Sequence, residues 1–276
     1  MRRLLAVLAI GVTLFPAGCA GHGSGHSSAG HTPTPSWTPL PAPTVSLGHF
    51  GKPVPHPGIH VDPSLVQLGR ALGVDVAAEL RRTERRADRV LRGRPVNVHV
   101  YLDRRDAPGP IGVDGATKLD TSINMVVVPD APVGTRATLR VWLPFVFAHE
   151  LNHAVRFEDG PGLIGTLLGD FVSEGVADVF AAAMFPDAPP DPNLAGVTAD
   201  QLRHYWQRAQ GVLYEIPEQP MRDEWLRGGG RVPHDLGYAI GTALIESVRA
   251  HHPHLSWAKL TRMDAQTLLE ISHFRP

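Results

Sequence analysis

The stretch FAHELNHAVRF at residues 147–157 constrains the fold more than any other part of this sequence. His149 and His153 bracket a glutamate, and on an α-helix a separation of four residues places both imidazoles on one face, about 40° apart. With 15 histidines in 276 residues, chance would produce H-E-x-x-H only roughly 0.03 times in such a chain. We therefore expect a helix here, with a partner for the two imidazoles on its histidine face.

Two histidines need a further protein ligand, because catalytic zinc usually has three protein ligands and one open position. The H-E-x-x-H-x-x-G-x-x-H pattern is absent, since the chain continues AVRFED after His153. The segment at residues 168–185 offers Glu174 instead, with Asp178 one helical turn later on the same face. Glu174 can bind the metal while Asp178 accepts a hydrogen bond from a ligand imidazole. This spacing predicts a zinc site of the gluzincin type.

The first residues have the layout of an export signal. The sequence MRRLLAVLAIGVTLFPAGCA begins with two arginines, continues with an apolar run and ends in small residues. The run is too short to span a bilayer, and PAGC resembles the lipobox of bacterial lipoproteins. We predict a lipoprotein signal peptide at residues 1–18, after which a lipidated Cys19 anchors the protein to the outer face of a bacterial membrane. A plain secretory signal cleaved close to the same position is the alternative.

A tether and one domain are predicted to follow. Residues 19–58 are rich in Gly, Ser and His and then in Pro and Thr, with almost nothing apolar to bury, which predicts a disordered segment. Its histidines could bind metal, but they lack an ordered geometry, and a plain linker is the preferred interpretation. Residues 59–276 have a globular composition and are numerous enough for one domain with a core.

A basic amphipathic helix is predicted early in this domain. In ELRRTERRADRVLRGR at residues 79–94, arginines cover the faces that the apolar residues leave free. The apolar face consists of Val76, Leu80, Ala87 and Leu91. Because the formal net charge of the chain is only −1, we expect no nucleic-acid partner and interpret the arginines as a solvated helix face.

The next segments predict strands and then helices. Alternation in PVNVHVYLD at residues 95–103 predicts a half-buried strand. Residues 111–130 predict two extended segments with a turn at Asp120 to Ser122. Pro144 is expected to begin the following helix or to kink an existing one. The fold class is therefore α+β, with a small N-terminal sheet, the helix of the histidine motif and a mostly helical C-terminal part.

Three motifs carry a family resemblance. AHELNHAVR, SEGVADVFA and LGYAIGTALIES, in this order, are similar to the bacterial family of predicted zinc-dependent proteases of otherwise unknown function, in the gluzincin group. The resemblance covers most of the chain after about residue 62 and implies a zincin-like metallopeptidase domain. It implies His149, His153 and Glu174 as the zinc ligands, Glu150 as the catalytic carboxylate and Asp178 as the partner of His149.

Further roles are expected from zinc chemistry. Glu150 projects about 100° around the helix from His149, beside the metal, and can act as general base towards a zinc-activated water. Tyr238 or His234 in VPHDLGYAIG is the candidate hydrogen-bond donor to the oxyanion, although Tyr238 also suits a core position. Ile123 to Val128 precedes the active-site helix, as the substrate-binding edge strand does in zincins, so we expect it at the sheet edge, where it could pair with an extended peptide.

We therefore expect a zinc-dependent peptidase that acts on peptide or protein substrates at the membrane. A non-catalytic metal-binding or adhesive lipoprotein would use the same ligands but would not need Glu150. A non-peptidase hydrolase with the same zinc chemistry is the other alternative. Asp170, Glu158 and Glu246 have no comparable set of residues around them and are interpreted as structural or surface residues.

Overall fold

The structure, a computed structural model, describes residues 58–104, 109–118, 120–159, 165–192, 194, 196–229 and 232–276. The predicted signal peptide, Cys19 and almost all of the predicted tether lie outside these residues and stay predictions. Within the part of the chain that the structure describes, no helix combines the length and the apolar character needed to cross a membrane.

Four strands form one mixed sheet in the order β1-β2-β4-β3. They are β1 (Gly58–Val61), β2 (Asn97–Leu102), β3 (Val113–Thr117) and β4 (Ile123–Val127). β2 pairs in parallel with both β1 and β4, and β3 pairs antiparallel with β4. As the alternation predicts, Val98 and Val100 of β2 are fully buried. The turn between β3 and β4 is closed by a hydrogen bond from Thr121 N to Lys118 O.

The expectation that Ile123 to Val128 is the edge strand is wrong. β4 pairs with β2 on one side and with β3 on the other, so its backbone is used within the sheet. Its sequence INMVV is almost entirely buried, whereas VDGAT in β3 is not. Because an interior strand needs apolar residues and an edge strand tolerates polar ones, β4 takes the interior and β3 takes the edge.

Helices make up most of the rest. Before the histidine motif these are α1 (Pro63–Ala71), α2 (Val76–Leu91), α3 (Thr135–Ala137) and a π-helical turn (Thr138–Trp142). The motif lies in α4 (Leu143–Asp159), followed by α5 (Leu167–Met184), α6 (Ala199–Ala209), α7 (Gln219–Arg227), α8 (Leu236–His251), α9 (Trp257–Arg262) and α10 (Ala265–Ser272). The α+β fold class is therefore confirmed.

Two of these helices follow the sequence prediction closely. The side chain of Asp75 caps α2 by accepting a hydrogen bond from Ala78 N at 2.9 Å, and the four predicted apolar residues of α2 are buried. Pro144 is the second residue of α4, directly after the π-helical turn in which Leu143 N bonds to Thr138 O. Proline has no N–H to continue a helical ladder, so the irregular turn comes just before it.

Two apolar cores meet at α5. The first core lies among the sheet, α2 and α4 and also includes Phe180 of α5. The second core lies among α5 to α8 and α10 and includes Phe171 and Val176 of α5. Glu174 therefore occupies the part of α5 where the two cores adjoin, facing the histidines of α4.

Candidate metal centre

The side chains of His149, His153 and Glu174 converge between α4 and α5. The two Nε2 atoms lie 2.9 Å apart, and Glu174 Oε2 lies 3.2 Å from each of them. The four-residue spacing on α4 is what puts both imidazoles on the side that faces α5. Within the described residues, this is the one group of three His, Cys, Asp or Glu side chains placed to hold a metal ion.

Hydrogen bonds fix both imidazole rings. His149 Nδ1 donates to Asp178 Oδ1 at 2.8 Å, which is the contact that the family resemblance implies. Thr242 Oγ1 of α8 lies 3.3 Å from the other oxygen of Asp178. His153 Nδ1 lies 3.1 Å from Ser173 Oγ. Because each Nδ1 has its own partner, both Nε2 atoms remain directed into the cluster.

A close helix crossing holds α8 against α5. Any Cβ added to Gly175 would overlap the backbone of Gly241, and one added to Gly241 would overlap the carbonyl oxygen of Phe171. Only glycine at both positions lets the two backbones approach this closely. The crossing places Thr242 next to Asp178, one turn beyond Glu174 on α5.

Glu150 is held by the edge strand rather than by the cluster. Thr117 Oγ1 lies 2.6 Å from Glu150 Oε2 and 3.0 Å from the Glu150 carbonyl oxygen. A Cβ on Gly115 would lie only 2.6 Å from Glu150 Oε1, so the carboxylate rests directly on the glycine backbone. Glu150 is only 4% exposed, and within the described residues its Oε1 has no hydrogen-bond partner. Sequence analysis did not single out Gly115 or Thr117, because no local pattern marks them.

The two candidate oxyanion donors differ in their surroundings. Tyr238 is the third residue of α8 and packs against the second core. Burial and the nearby charge of Glu174 raise the pKa of Tyr238 well above its ordinary value, so the phenol keeps its proton. The side chain of His234 is 78% exposed and lies 2.5 Å from Asp235. Tyr238 is therefore buried near Glu174, whereas His234 lies at the surface.

Burial and nearby charges shift the pKa values of the cluster residues and of Glu150 in different directions. Burial raises the pKa of Glu150, and the nearby imidazoles only partly offset this. Burial acts in the same direction on Glu174, but the two histidines outweigh it and hold its pKa well below the usual range. Burial lowers the pKa of His149, but Asp178 and Glu174 outweigh it and raise that pKa well above its ordinary value. Glu174 is therefore an ionised carboxylate.

Two further buried residues of α4 tie the motif helix to the C-terminal helices. Asn152 Nδ2 donates to Thr261 Oγ1 at 2.9 Å. Arg156 is 1% exposed, and its NH1 donates to the carbonyl oxygens of Thr261 and Met263 at 2.9 and 3.0 Å. Burial lowers the pKa of Arg156 to about 10. These contacts fix α4 against the end of α9, and sequence analysis did not single them out.

The residues present fit a zinc ion. Metal–ligand distances of about 2.0 to 2.2 Å in a tetrahedral site separate the ligand atoms by roughly 3.3 Å, close to the 2.9 to 3.2 Å measured here. Two imidazole nitrogens and one carboxylate oxygen leave a fourth position open, as hydrolytic zinc sites require. The cluster could therefore hold a metal, and its donor types suit zinc.

This α+β domain places two histidines of an H-E-x-x-H helix against a glutamate of the next long helix. The arrangement defines a class of candidate metalloproteins. The family model described as "Predicted Zn-dependent protease (DUF2268)" matches residues 81–270, more than half of the chain. The chain belongs to this family. No curated protein and no solved structure matches it.

Proposed function

We propose that this protein is a zinc-dependent peptidase of the gluzincin type, built on a zincin-like domain. The observation that carries the proposal is the position of Glu150. Its carboxylate lies beside the cluster, held by Thr117 and Gly115 of β3, and the cluster is complete without it. A protein that only stores or senses a metal needs no such buried carboxylate, whereas hydrolysis needs a base at this place.

His149, His153 and Glu174 would hold the zinc ion, and Asp178 and Ser173 would keep the imidazole rings oriented. When bound, zinc lowers the pKa of a coordinated water towards about 7 and polarises a carbonyl group. Asp178 fixes the tautomer of His149, because its carboxylate accepts the Nδ1 proton.

Glu150 is the proposed general base. Oε2 accepts the short hydrogen bond from Thr117, so Oε1 is the oxygen that is free to take a proton from the attacking water. Glu150 then hands this proton to the leaving amine. The backbone of Gly115 prevents the carboxylate from moving away from the cluster, since the two are in direct contact.

The proposed substrate is an extended peptide that adds to the open edge of β3. This strand pairs with β4 on one side only among the described strands, and Thr117 connects it to Glu150. Backbone pairing along β3 would bring a peptide bond to the cluster in a fixed register. The phenol of Tyr238 would donate a hydrogen bond to the carbonyl oxygen as that oxygen gains negative charge.

Peptide cleavage tests this proposal. The purified protein is incubated with a broad peptide library, with a chelator and again after zinc is restored. We expect cleavage that the chelator abolishes and zinc restores. Cleavage that continues unchanged in the presence of the chelator would contradict zinc dependence. A zinc-loaded protein that cleaves no peptide would instead favour the non-catalytic lipoprotein.

The proposed location is the outer face of a bacterial membrane, through a lipidated Cys19. The support is the sequence of residues 1–19 alone. Cells that express Cys19→Ser are fractionated beside cells that express the wild type. Loss of the variant from the membrane fraction is expected, and full retention would show that Cys19 is not the anchor.

A further inference from the structure

Three arginines of α2 form a stripe that faces solvent. Arg81, Arg85 and Arg89 follow one another at four-residue spacing, so they lie within about 80° of the helix circumference. All three are exposed, as is Arg92 directly after the helix. Within the described residues, none of the three side chains has a hydrogen bond or an ion pair. We call Arg81, Arg85 and Arg89 the arginine stripe. Glu84 and Asp88 are the acidic residues beside it on the helix, and the charges of Arg81 and Arg85 act on the carboxylate of Glu84.

Neighbouring arginines behave differently. Arg82 pairs with Glu79 at 2.5 Å, and the guanidinium of Arg86 lies over the ring of Phe185 at 5.7 Å. These two arginines have internal roles. The stripe has none, and its central residue Arg85 lies about 140 to 160° around the helix from the buried Leu80 and Ala87. It therefore points directly away from the core.

The stripe also belongs to a segment of unusual charge. Residues 79–94 contain seven arginines and three acidic residues, while the whole chain has a formal net charge of −1. The remainder of the chain is therefore net acidic, and this segment carries an excess of positive charge. Such an asymmetry attracts an extended anionic surface to one side of the molecule.

α2 and the metal centre lie on opposite sides of α4. Gly93, two residues after α2, lies against the side chain of Val155, and Arg94 pairs with Glu158 at 2.5 Å. On α4, Val155 and Glu158 are about 120° and 180° around the helix from His149. A partner that covers the arginine stripe would therefore leave the metal centre accessible.

We infer that the arginine stripe docks on an anionic phospholipid surface and turns the metal centre away from that surface. The inference rests on charge, on geometry and on the predicted signal peptide, and it is independent of zinc and of catalysis. A lipid surface is favoured over nucleic acid because the predicted signal peptide delivers the chain to a membrane. The stripe would supply a charged contact with that membrane beside the predicted lipid anchor.

Vesicle binding tests the inference in the full chain carrying Cys19→Ser, so that no acyl chain contributes. The variant Arg85→Gln/Arg89→Gln is compared with a matched control, Arg203→Gln/Arg275→Gln, which removes two exposed arginines elsewhere. Residues 1–57 are the same in every variant, so whatever they contribute cancels. Vesicles of phosphatidylcholine, with and without phosphatidylglycerol, are titrated at low salt, and zinc content and thermal unfolding are measured in parallel.

Each basic side chain near an anionic surface strengthens binding about fivefold. We expect the stripe variant to bind anionic vesicles about 25-fold more weakly than the control, and all binding of this kind to vanish when salt shortens the Debye length to about 3 Å. Equal losses in both variants would overturn the inference. The inference would also be overturned if the stripe variant bound duplex DNA more weakly than the control but bound anionic vesicles equally well. Zinc content should be the same throughout, so a failure here is distinct from a failure of the proposed peptidase.

Discussion

Two helices of this protein each carry three like charges at four-residue spacing, and they differ in how these charges are balanced. The arginine stripe of α2 faces water, where solvent and salt screen the repulsion. The three acids of α5 are shielded, and each has a basic partner. Asp170 bonds to Arg222 at 2.6 Å, Glu174 faces the two cluster histidines at 3.2 Å, and Asp178 accepts from His149 at 2.8 Å.

The difference shows which charges the fold has to organise. A buried carboxylate that loses its counter-charge costs several kcal/mol, so the acids of α5 and their partners depend on one another. An exposed arginine costs the folded state little. The acids of α5 therefore define an internal site, while the arginine stripe acquires a role only through an external partner.

Removal of a cluster histidine should have the largest effect, the complete loss of bound zinc from the buried site. His153→Ala takes away one of three proposed ligands, and we expect the purified variant to contain no zinc. His234→Ala is the matched control, because that exposed imidazole pairs with Asp235 outside the cluster and its loss should leave about one zinc per chain. Metal analysis decides, and stoichiometric zinc in His153→Ala would refute the ligand set.

A smaller effect on zinc affinity is expected when the hydrogen-bond partner of His149 is changed. Asp178→Asn keeps the shape of the side chain but removes the charge that orients His149, so zinc affinity should fall by about 10- to 100-fold. Thr242→Val should weaken it less, because its hydrogen bond to Asp178 is long at 3.3 Å. Competition with a chromogenic chelator measures both variants. Unchanged affinity in Asp178→Asn would remove Asp178 from the site.

The edge strand should affect turnover without affecting the metal. Thr117→Val removes the 2.6 Å hydrogen bond to Glu150, and bonds to charged groups contribute about 1.5 to 3 kcal/mol. We expect kcat to fall by roughly 10- to 100-fold, with zinc content and KM little changed. Thr117→Ser restores the hydroxyl and should recover most of the activity. Equal losses in both variants would mean that Thr117 acts only through packing.

Stability should separate the two charged helices directly. Arg222→Met leaves Asp170 buried without its ion pair, and we expect the free energy of unfolding to fall by about 1.5 to 3 kcal/mol. Arg85→Met removes an exposed arginine and should change it by no more than about 0.5 kcal/mol. Chemical denaturation measures both, and comparable losses would contradict the distinction.

The sequence predicted the site where its signals are local. His149 and His153 are one turn apart, and so are Glu174 and Asp178, so helical periodicity alone aligns each pair. Asp170 lies one turn before Glu174 on α5, and its interpretation as a structural residue agrees with its buried ion pair. Its partner Arg222 is 52 residues away, and no spacing rule connects the two.

The position of β4 in the sheet was predicted wrongly, since it lies in the interior and not at the edge. The two extended segments and the turn between them were predicted, but which segment pairs with β2 depends on tertiary packing of side chains rather than on a local pattern. Thr117 was missed for this reason, since it reaches Glu150 only because β3 takes the edge. The signal peptide, Cys19 and the tether stay predictions.

The proposed peptidase function depends most on Glu150 as a base and Glu174 as a ligand. The variants Glu150→Gln and Glu174→Gln separate these roles. Zinc content and peptide cleavage are measured for both, beside the wild type. Glu150→Gln should keep its zinc and lose about 10²- to 10⁴-fold in rate, because a neutral amide cannot accept a proton from water. Glu174→Gln should lose affinity for zinc itself, because a neutral ligand replaces an anionic one. Full zinc together with undiminished cleavage in Glu150→Gln would contradict the proposed mechanism.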